Sequence, residues 1–294
     1  MFQFDIKQHL KYVEIHDLHE KICAFRELPF SRLNKTEIAK HISNVLCFDT
    51  PNGNVAILTP RVGSYPRGTR FYRVRRLEQT DTKFPLSGMR SESDAWNPPP
   101  HVVRKGRLNR EGESLLYTTP INPKVAVEEM QIPDGDNFSL IVYEAMEEIR
   151  ATTIGARCND ENLTSNEQLK LNMLNDFLAH EFTRDVGSGT EYLYDISETI
   201  AKDYFDLPRD IQDAWCYPSV ADRPMFNVCL RPEVARQKLS LVGVQIASRT
   251  HIDENSGYFH VKCVASGFDD CGAFVYHRIG SETQKKLFPE IRSQ

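Results

Sequence analysis

Apolar and polar positions alternate along this chain with two periods, and the change of period marks out its elements. Near the start, Ile15, Leu18, Ile22 and Phe25 recur at steps of three and four, which makes one apolar stripe on a helix. Pro29 stops that helix. A second begins near Asn34 and carries Ile38, Ile42, Val45 and Leu46. Residues 1–46 therefore read as helical, a hairpin packed on its own domain or on a partner. Asn52-Gly53 is a tight-turn signal, and with Val55 to Leu58 after it predicts a strand pair. Arg70 to Arg76 alternates as a strand with one apolar face.

The middle of the chain reads as a loop, a buried strand and a helix. Gly106 to Arg110 is the loop, Leu115-Leu116-Tyr117 the apolar run, and Asn122-Pro123 an N-cap followed by the first helical residue. Glu128 and Glu129 fall about two turns into that helix. Phe138 to Val142 is a further strand, and residues 151–163 read as loop. Thr164 and Glu167 form a capping box for a helix with Leu169, Met173, Leu174, Phe177 and Leu178 facing inward. Asp195 to Tyr204 is another helix, and the segment LPRDIQDAWC reads as a loop leading to Tyr217-Pro218-Ser219. Strands follow at Met225–Leu230, Leu239–Ala247, Tyr258–Ala265 and Phe274–His277, with a turn at Asp253 to Gly257. No linker-like or low-complexity tract interrupts the pattern. The expected organisation is an N-terminal helical extension with a short hairpin over 1–64 and one mixed α/β domain over 65–294.

With 294 residues, 40% hydrophobic and 26% charged, the chain has ordinary globular composition. Its net charge of −5 argues against bulk attraction to nucleic acid. No apolar run has the eighteen or so residues of a membrane span. The first twenty residues are polar and of mixed charge, unlike a signal or transit peptide. Seven scattered cysteines without a CxxC speak for reduced thiols and a cytoplasmic setting. His16 and His19 could share a helix face, but no third metal ligand is placed by spacing, and no metal is expected. One local charge imbalance stands out. Residues 67–110 hold eleven Lys and Arg against four acidic residues, a field that favours a phosphate-bearing ligand or else a solvated basic face. Within it, Trp96-Asn97-Pro98-Pro99-Pro100 reads as a stiff loop that could wall or cover a site.

Three segments in order resemble the RES domain family: Arg73 within FYRVRR, the unit GRLN…LLYTT…NPKVAVEE, and YPSV followed by Asn227 in FNVCL. The resemblance covers about residues 65–245. It implies an ADP-ribosyltransferase-like α/β (α+β) fold with a central mixed or antiparallel sheet. It also implies cleavage of NAD at the nicotinamide–ribose bond, by phosphorolysis or hydrolysis. Members include bacterial toxins of toxin–antitoxin modules, which arrest growth and pair with Xre-type antitoxins. Carried onto this chain, the resemblance assigns Arg107, Tyr117, Glu129 and Ser219 to catalysis. It assigns Arg73, Asn227 and Glu128 to binding alongside Arg107, Tyr117 and Ser219. Ala126 selects Glu129 by its spacing, whereas the Tyr-to-Glu distance favours Glu128. NAD enters as substrate and inorganic phosphate as co-substrate, with no resident cofactor. This chain departs from the family at Leu108, where a Trp is usual, and in a longer loop after Tyr117.

The residue chemistry suits that reaction. Breaking the N-glycosidic bond develops positive charge on the ribose, which a carboxylate stabilises. Arg107 offers a planar donor fork for a pyrophosphate, with Arg73 as a second candidate. Tyr117 can stack on a flat ring and hydrogen-bond through its hydroxyl. Ser219, behind a proline, is suited to orienting a ligand; GxSxG is absent and no Asp–His pair is placed to activate it. Two other readings stand beside this one: an ADP-ribosyltransferase acting on a macromolecule, and an inactive relative that binds a nucleotide or partner. The N-terminal helices offer a surface for an antitoxin, for a second copy of the chain or for its own domain.

Overall fold

The computed structural model describes residues 6–81, 83–251 and 257–292. In chain order it begins with helices α1 (Ile6–Leu10), α2 (Ile15–Arg26) and α3 (Lys35–Leu46) and strands β1 (Cys47–Thr50), β2 (Gly53–Ala56), β3 (Arg61–Tyr65) and β4 (Arg70–Arg76). Helix α4 (Glu92–Ala95), strand β5 (Leu116–Pro120), helix α5 (Pro123–Glu129) and strands β6 (Asn137–Ala145) and β7 (Ile149–Thr153) follow. Next come α6 (Ser165–Phe182), α7 (Tyr194–Tyr204), β8 (Ala214–Pro218) and β9 (Phe226–Leu230). The chain closes with α8 (Pro232–Lys238), β10 (Leu239–His251), β11 (Gly257–Phe268), β12 (Phe274–Arg278) and α9 (Glu282–Leu287). It is a mixed α/β protein. Of the readings above, the helix before residue 6 and the turn at 253–256 lie outside the described residues.

These elements form two compact units, each assembled from three stretches: 1–63, 103–113 and 150–224 in the first, and 64–102, 114–149 and 225–294 in the second.

The first unit is largely helical. Helix α2 buries Leu18, Ile22 and Phe25, as its stripe predicts, and Phe25 meets Phe177 of α6 edge-on at 5.1 Å. Asn34 and Glu37 form a reciprocal capping box at the start of α3, and Thr164 and Glu167 do so for α6. On α6 the buried face differs from the expected one. Leu169 is exposed, while Leu171 turns inward with Leu174, Phe177, Leu178 and Phe182. Two loop readings are corrected. Ala151–Thr153 belongs to β7 and Ala214–Cys216 to β8, and the two strands pair in parallel. β8 is buried at every position, so it carries no alternation to read. Gly155 follows β7 at φ +70°. A Cβ there would lie 2.6 Å from the backbone nitrogen of Ala179 on α6, so only glycine lets helix and strand approach this closely.

The second unit is an antiparallel sheet in the order β12-β11-β10-β6-β4-β5-β9. Helix α5 packs on one face through Ala126 and Val127, joined there by Val74, Leu140, Val142, Val264 and Phe288. Strand β4 does not have the single apolar face expected of it. Phe71 and Val74, an odd number of residues apart, are both buried, because the opposite face is covered too. That cover includes Trp96, in the stretch whose prolines predict a loop wall or lid. It is 4% exposed, and its ring lies 5.1 Å from that of Tyr143. The tyrosine hydroxyl donates to the Ala95 carbonyl. Trp96 is therefore core, and Pro100–Val102 continues as a short 3-10 turn. Among the described residues no helix is long and apolar enough to cross a membrane.

Candidate functional site

Helix α5 delivers the two glutamates. Asn122 caps it, its Oδ1 accepting the Lys124 N–H at 3.0 Å, and Pro123 takes the first helical position. The helix is only seven residues long, so Glu128 and Glu129 end it. Both flanks are in the left-handed region, Ile121 at φ 67° and Gln131 at φ 47°. A β-branched residue there is strained. Ile121 is held by its N–H, which donates to the Arg70 carbonyl at 2.9 Å.

Successive helical residues point about 100° apart, and this separates the pair. Glu128 lies along the helix from Lys124, at 3.7 Å. Glu129 turns toward the sheet, where its Oε1 accepts from Asn227 Nδ2 at 2.9 Å. Asn227, on β9, accepts at Oδ1 from the Thr119 hydroxyl on β5 at 2.8 Å. Thr119 and Asn227 are both buried. The carboxylate, which can only accept, takes the amide N–H₂, and the hydroxyl donates to the amide oxygen left on the other side. Tyr117 lies two residues before Thr119, on the same face of β5, and is half-buried. Thr119 of β5, Asn227 of β9 and Glu129 of α5 thus form one polar cluster, and Tyr117 lies on the same face of β5. Sequence reasoning missed Thr119. Its only signal was the alternation Tyr117-Thr118-Thr119, which puts it on the tyrosine's side.

Arg73 is not brought to this cluster. Its neighbour Tyr72 pairs with Thr119 across β4 and β5, so Arg73 projects from the opposite face of the sheet. There it lies against Tyr143, with its Nη1 buried and lacking a hydrogen-bond partner. Burial pulls the guanidinium below its usual range, against the favourable influence of the phenol. The same burial pushes the Tyr143 hydroxyl up to about 12.

Arg107 and Ser219 belong to the first unit. Arg107 Nη2 donates to the Arg184 carbonyl at 2.9 Å, and the guanidinium lies over the Tyr194 ring at 5.6 Å. Arg184 is itself held by Glu181, a fully buried carboxylate, at 2.5 Å. The loop carrying Arg107 is braced by Asn109, whose Nδ2 donates to the carbonyls of Arg104 and Arg110, both at 2.8 Å. Leu108 is fully buried. Ser219 is also fully buried, directly after β8, and its Oγ accepts the Asp222 N–H at 3.1 Å.

The basic stretch is less bare than its local count suggests. Lys105 pairs with Asp195 at 2.8 Å, Arg110 with the buried Glu198 at 2.9 Å, and Arg75 with Asp94 at 3.3 Å. The first two acids come from α7, some 90 residues away in sequence. Among the described residues no group of three or more His, Cys, Asp or Glu is placed to hold a metal ion. His16 pairs with Glu20 at 3.2 Å, and His19 lies 3.6 Å from Cys23. No family model matches the chain, and no curated protein matches it.

Proposed function

We propose that this chain is an NAD-consuming enzyme that breaks the nicotinamide–ribose bond, with Glu129 as the carboxylate that steadies the nascent sugar cation. The observation that carries the reading is the Thr119–Asn227–Glu129 series of hydrogen bonds. Two of the three segments that resemble the RES family, 65–245 overall, meet in it at a single oriented carboxylate. Glu128, the competing choice, faces Lys124 instead.

In this reading the C1′–N bond breaks, and its electron pair leaves with neutral nicotinamide. An oxygen of water or inorganic phosphate bonds to C1′ and loses its proton. The products are ADP-ribose or its 1-phosphate. Glu129 favours the transition state, in which positive charge has moved from the nicotinamide ring to the ribose, over the ground state, in which it has not. Asn227 holds that carboxylate in one orientation, so little reorganisation accompanies the reaction. Tyr117 supplies a flat ring and a hydroxyl on the same face. Arg107, Arg73 and Ser219 enter through the resemblance, as groups for the pyrophosphate and ribose. As a member of a toxin–antitoxin module the chain would arrest growth by depleting NAD, and an Xre-type partner would restrain it.

The test is nicotinamide release from NAD by the purified protein, with and without inorganic phosphate. Glu129→Gln lowers the rate by about 10²–10³-fold, the usual cost of removing one transition-state electrostatic partner. Glu128→Gln stays within about threefold. Equal loss in both variants, or NAD left intact by the wild type, overturns the assignment. A label transferred to added protein or nucleic acid would point to the transferase reading, and binding without turnover to the inactive relative.

A further inference from the structure

A cleft of about 870 Å³ opens in the second unit, on the sheet face that α5 covers, and nothing above gives it a role. Its floor is Leu140 of β6, Gln245 of β10 and Phe259 and Val261 of β11, and Ile279 and Ile291 wall it. The volume is that of a small-molecule site, with an apolar floor and a polar rim. His260 and Lys262 border it by position, but they alternate with Phe259 and Val261. Lys262 accordingly reaches Asn137, on the other face, at 2.5 Å. The charged side chains left at the head of the cleft are Arg70, Glu290 and Arg292.

Arg70 shares a hydrogen bond with the Tyr72 side chain, which also lines the cleft, and its other acceptors stand farther off. The Leu287 carbonyl is 3.4 Å away, Glu144 3.8 Å and Glu290 3.9 Å. A guanidinium–carboxylate hydrogen bond is about 2.8 Å long. Gln245, 7% exposed, reaches the same Glu290 oxygen from 3.5 Å. Burying an amide with so long a contact forfeits most of its hydrogen-bond energy. Glu290 itself is half-exposed and comes from the segment after α9. The chain's own carboxylate thus stands between a guanidinium and a buried amide, at long range from both.

We propose that this cleft binds a monocarboxylate with an apolar body, whose carboxylate takes the place of Glu290 between Arg70 and Gln245. Its hydrocarbon part lies along Leu140, Val261 and Ile291, next to the unit's core. The pair of polar groups recognises the anion, and the floor recognises the tail. Glu290 acts as a weak internal competitor. This site is independent of the reaction proposed for Glu129.

Titration calorimetry with octanoate and 3-phenylpropionate tests the idea on the full chain, with octanol and octylamine as matched uncharged and cationic probes. At least one acid binds with Kd below 1 mM, and the alcohol and amine are at least tenfold weaker. Their relative strength tells an aliphatic from an aryl ligand. Glu290→Gln removes the competitor's charge and tightens binding about three- to tenfold. Arg70→Gln weakens it at least tenfold, with the melting temperature measured alongside to confirm folding. Methyl NMR shifts on binding fall at Leu140, Val261, Ile279 and Ile291. Equal affinity for octanoate and octanol, weaker binding in Glu290→Gln, shifts centred elsewhere, or no binding of either acid overturns the proposal. The Glu290→Gln result does so even if the Arg70 variant fails to fold.

Discussion

Asn227→Asp tests the orientation of Glu129 without any assumption about the reaction. In the wild type an amide N–H₂ donates to a carboxylate oxygen at 2.9 Å. A hydrogen bond to a charged acceptor contributes about 1.5–3 kcal/mol. The substitution keeps the shape and turns that attraction into a contact between two carboxylates. Two like charges about 4 Å apart repel by about 4 kcal/mol at the effective dielectric of a partly buried site. The folded protein relieves this by keeping one shared proton on the pair. It then holds a proton that the unfolded chain has already released, so the variant's stability falls as pH rises. Below about pH 4, where carboxyls are protonated in the unfolded chain as well, the variant trails the wild type by about 1 kcal/mol. At pH 8 the gap grows to about 3–4 kcal/mol. Urea unfolding at a series of pH values measures it. Each unit carries one of the two tryptophans, Trp96 in the second and Trp215 in the first, so single-tryptophan backgrounds report them separately. A gap in the Trp96 signal that is constant from pH 4 to pH 8 would refute the contact between Asn227 and Glu129.

Gly155→Ala adds a Cβ 2.6 Å from the Ala179 nitrogen and holds a non-glycine residue at positive φ, which alone costs about 1–2 kcal/mol. The variant is expected to lose more than about 2 kcal/mol, seen as a lower melting temperature, whereas Gly63→Ala, whose Cβ meets nothing within 4 Å, changes little. Asp94 provides a pH test. Burial raises its carboxyl, but hydrogen bonds from the Ser91 and Arg90 backbone N–H groups, the Ser91 hydroxyl and Arg75 outweigh this and leave it below the usual range. A lowered folded value gives stability that is present above the ordinary carboxyl range and lost as pH falls through the folded value. Asp94→Asn should therefore flatten the acid limb of the stability profile below about pH 4, and an unchanged limb would count against this network.

Local signals served well where an element's pattern lies within its own residues. The Ile15–Phe25 stripe, the capping residues Asn34 and Thr164 and the Asn52-Gly53 turn each specify their element through neighbours three or four positions away. Strand β8 gave no such signal. Ala-Trp-Cys-Tyr-Pro is buried throughout, and an apolar run of five has no period to distinguish strand from loop. Trp96 misled for the opposite reason: three prolines after it suggested an exposed spacer, while the tryptophan itself sits in the core. The different surroundings of Glu128 and Glu129 could not be read from neighbours, because the partner of Glu129 lies 98 positions away, on β9. The pairing of Lys105 and Arg110 was likewise out of reach of neighbours, since both acids lie on α7.

The interleaved make-up of the two units bears on how the chain is made. The backbone passes from one unit to the other at 63/64, 102/103, 113/114, 149/150 and 224/225. During synthesis the first unit cannot close until residue 224 has left the ribosome, and the second must wait for its last strands. Strands β6 and β5 emerge long before their outer partners β10 and β9, and unpaired strand edges of that kind invite association with other chains. No single truncation isolates either unit, so a fragment ending at residue 149 would leave both unfinished.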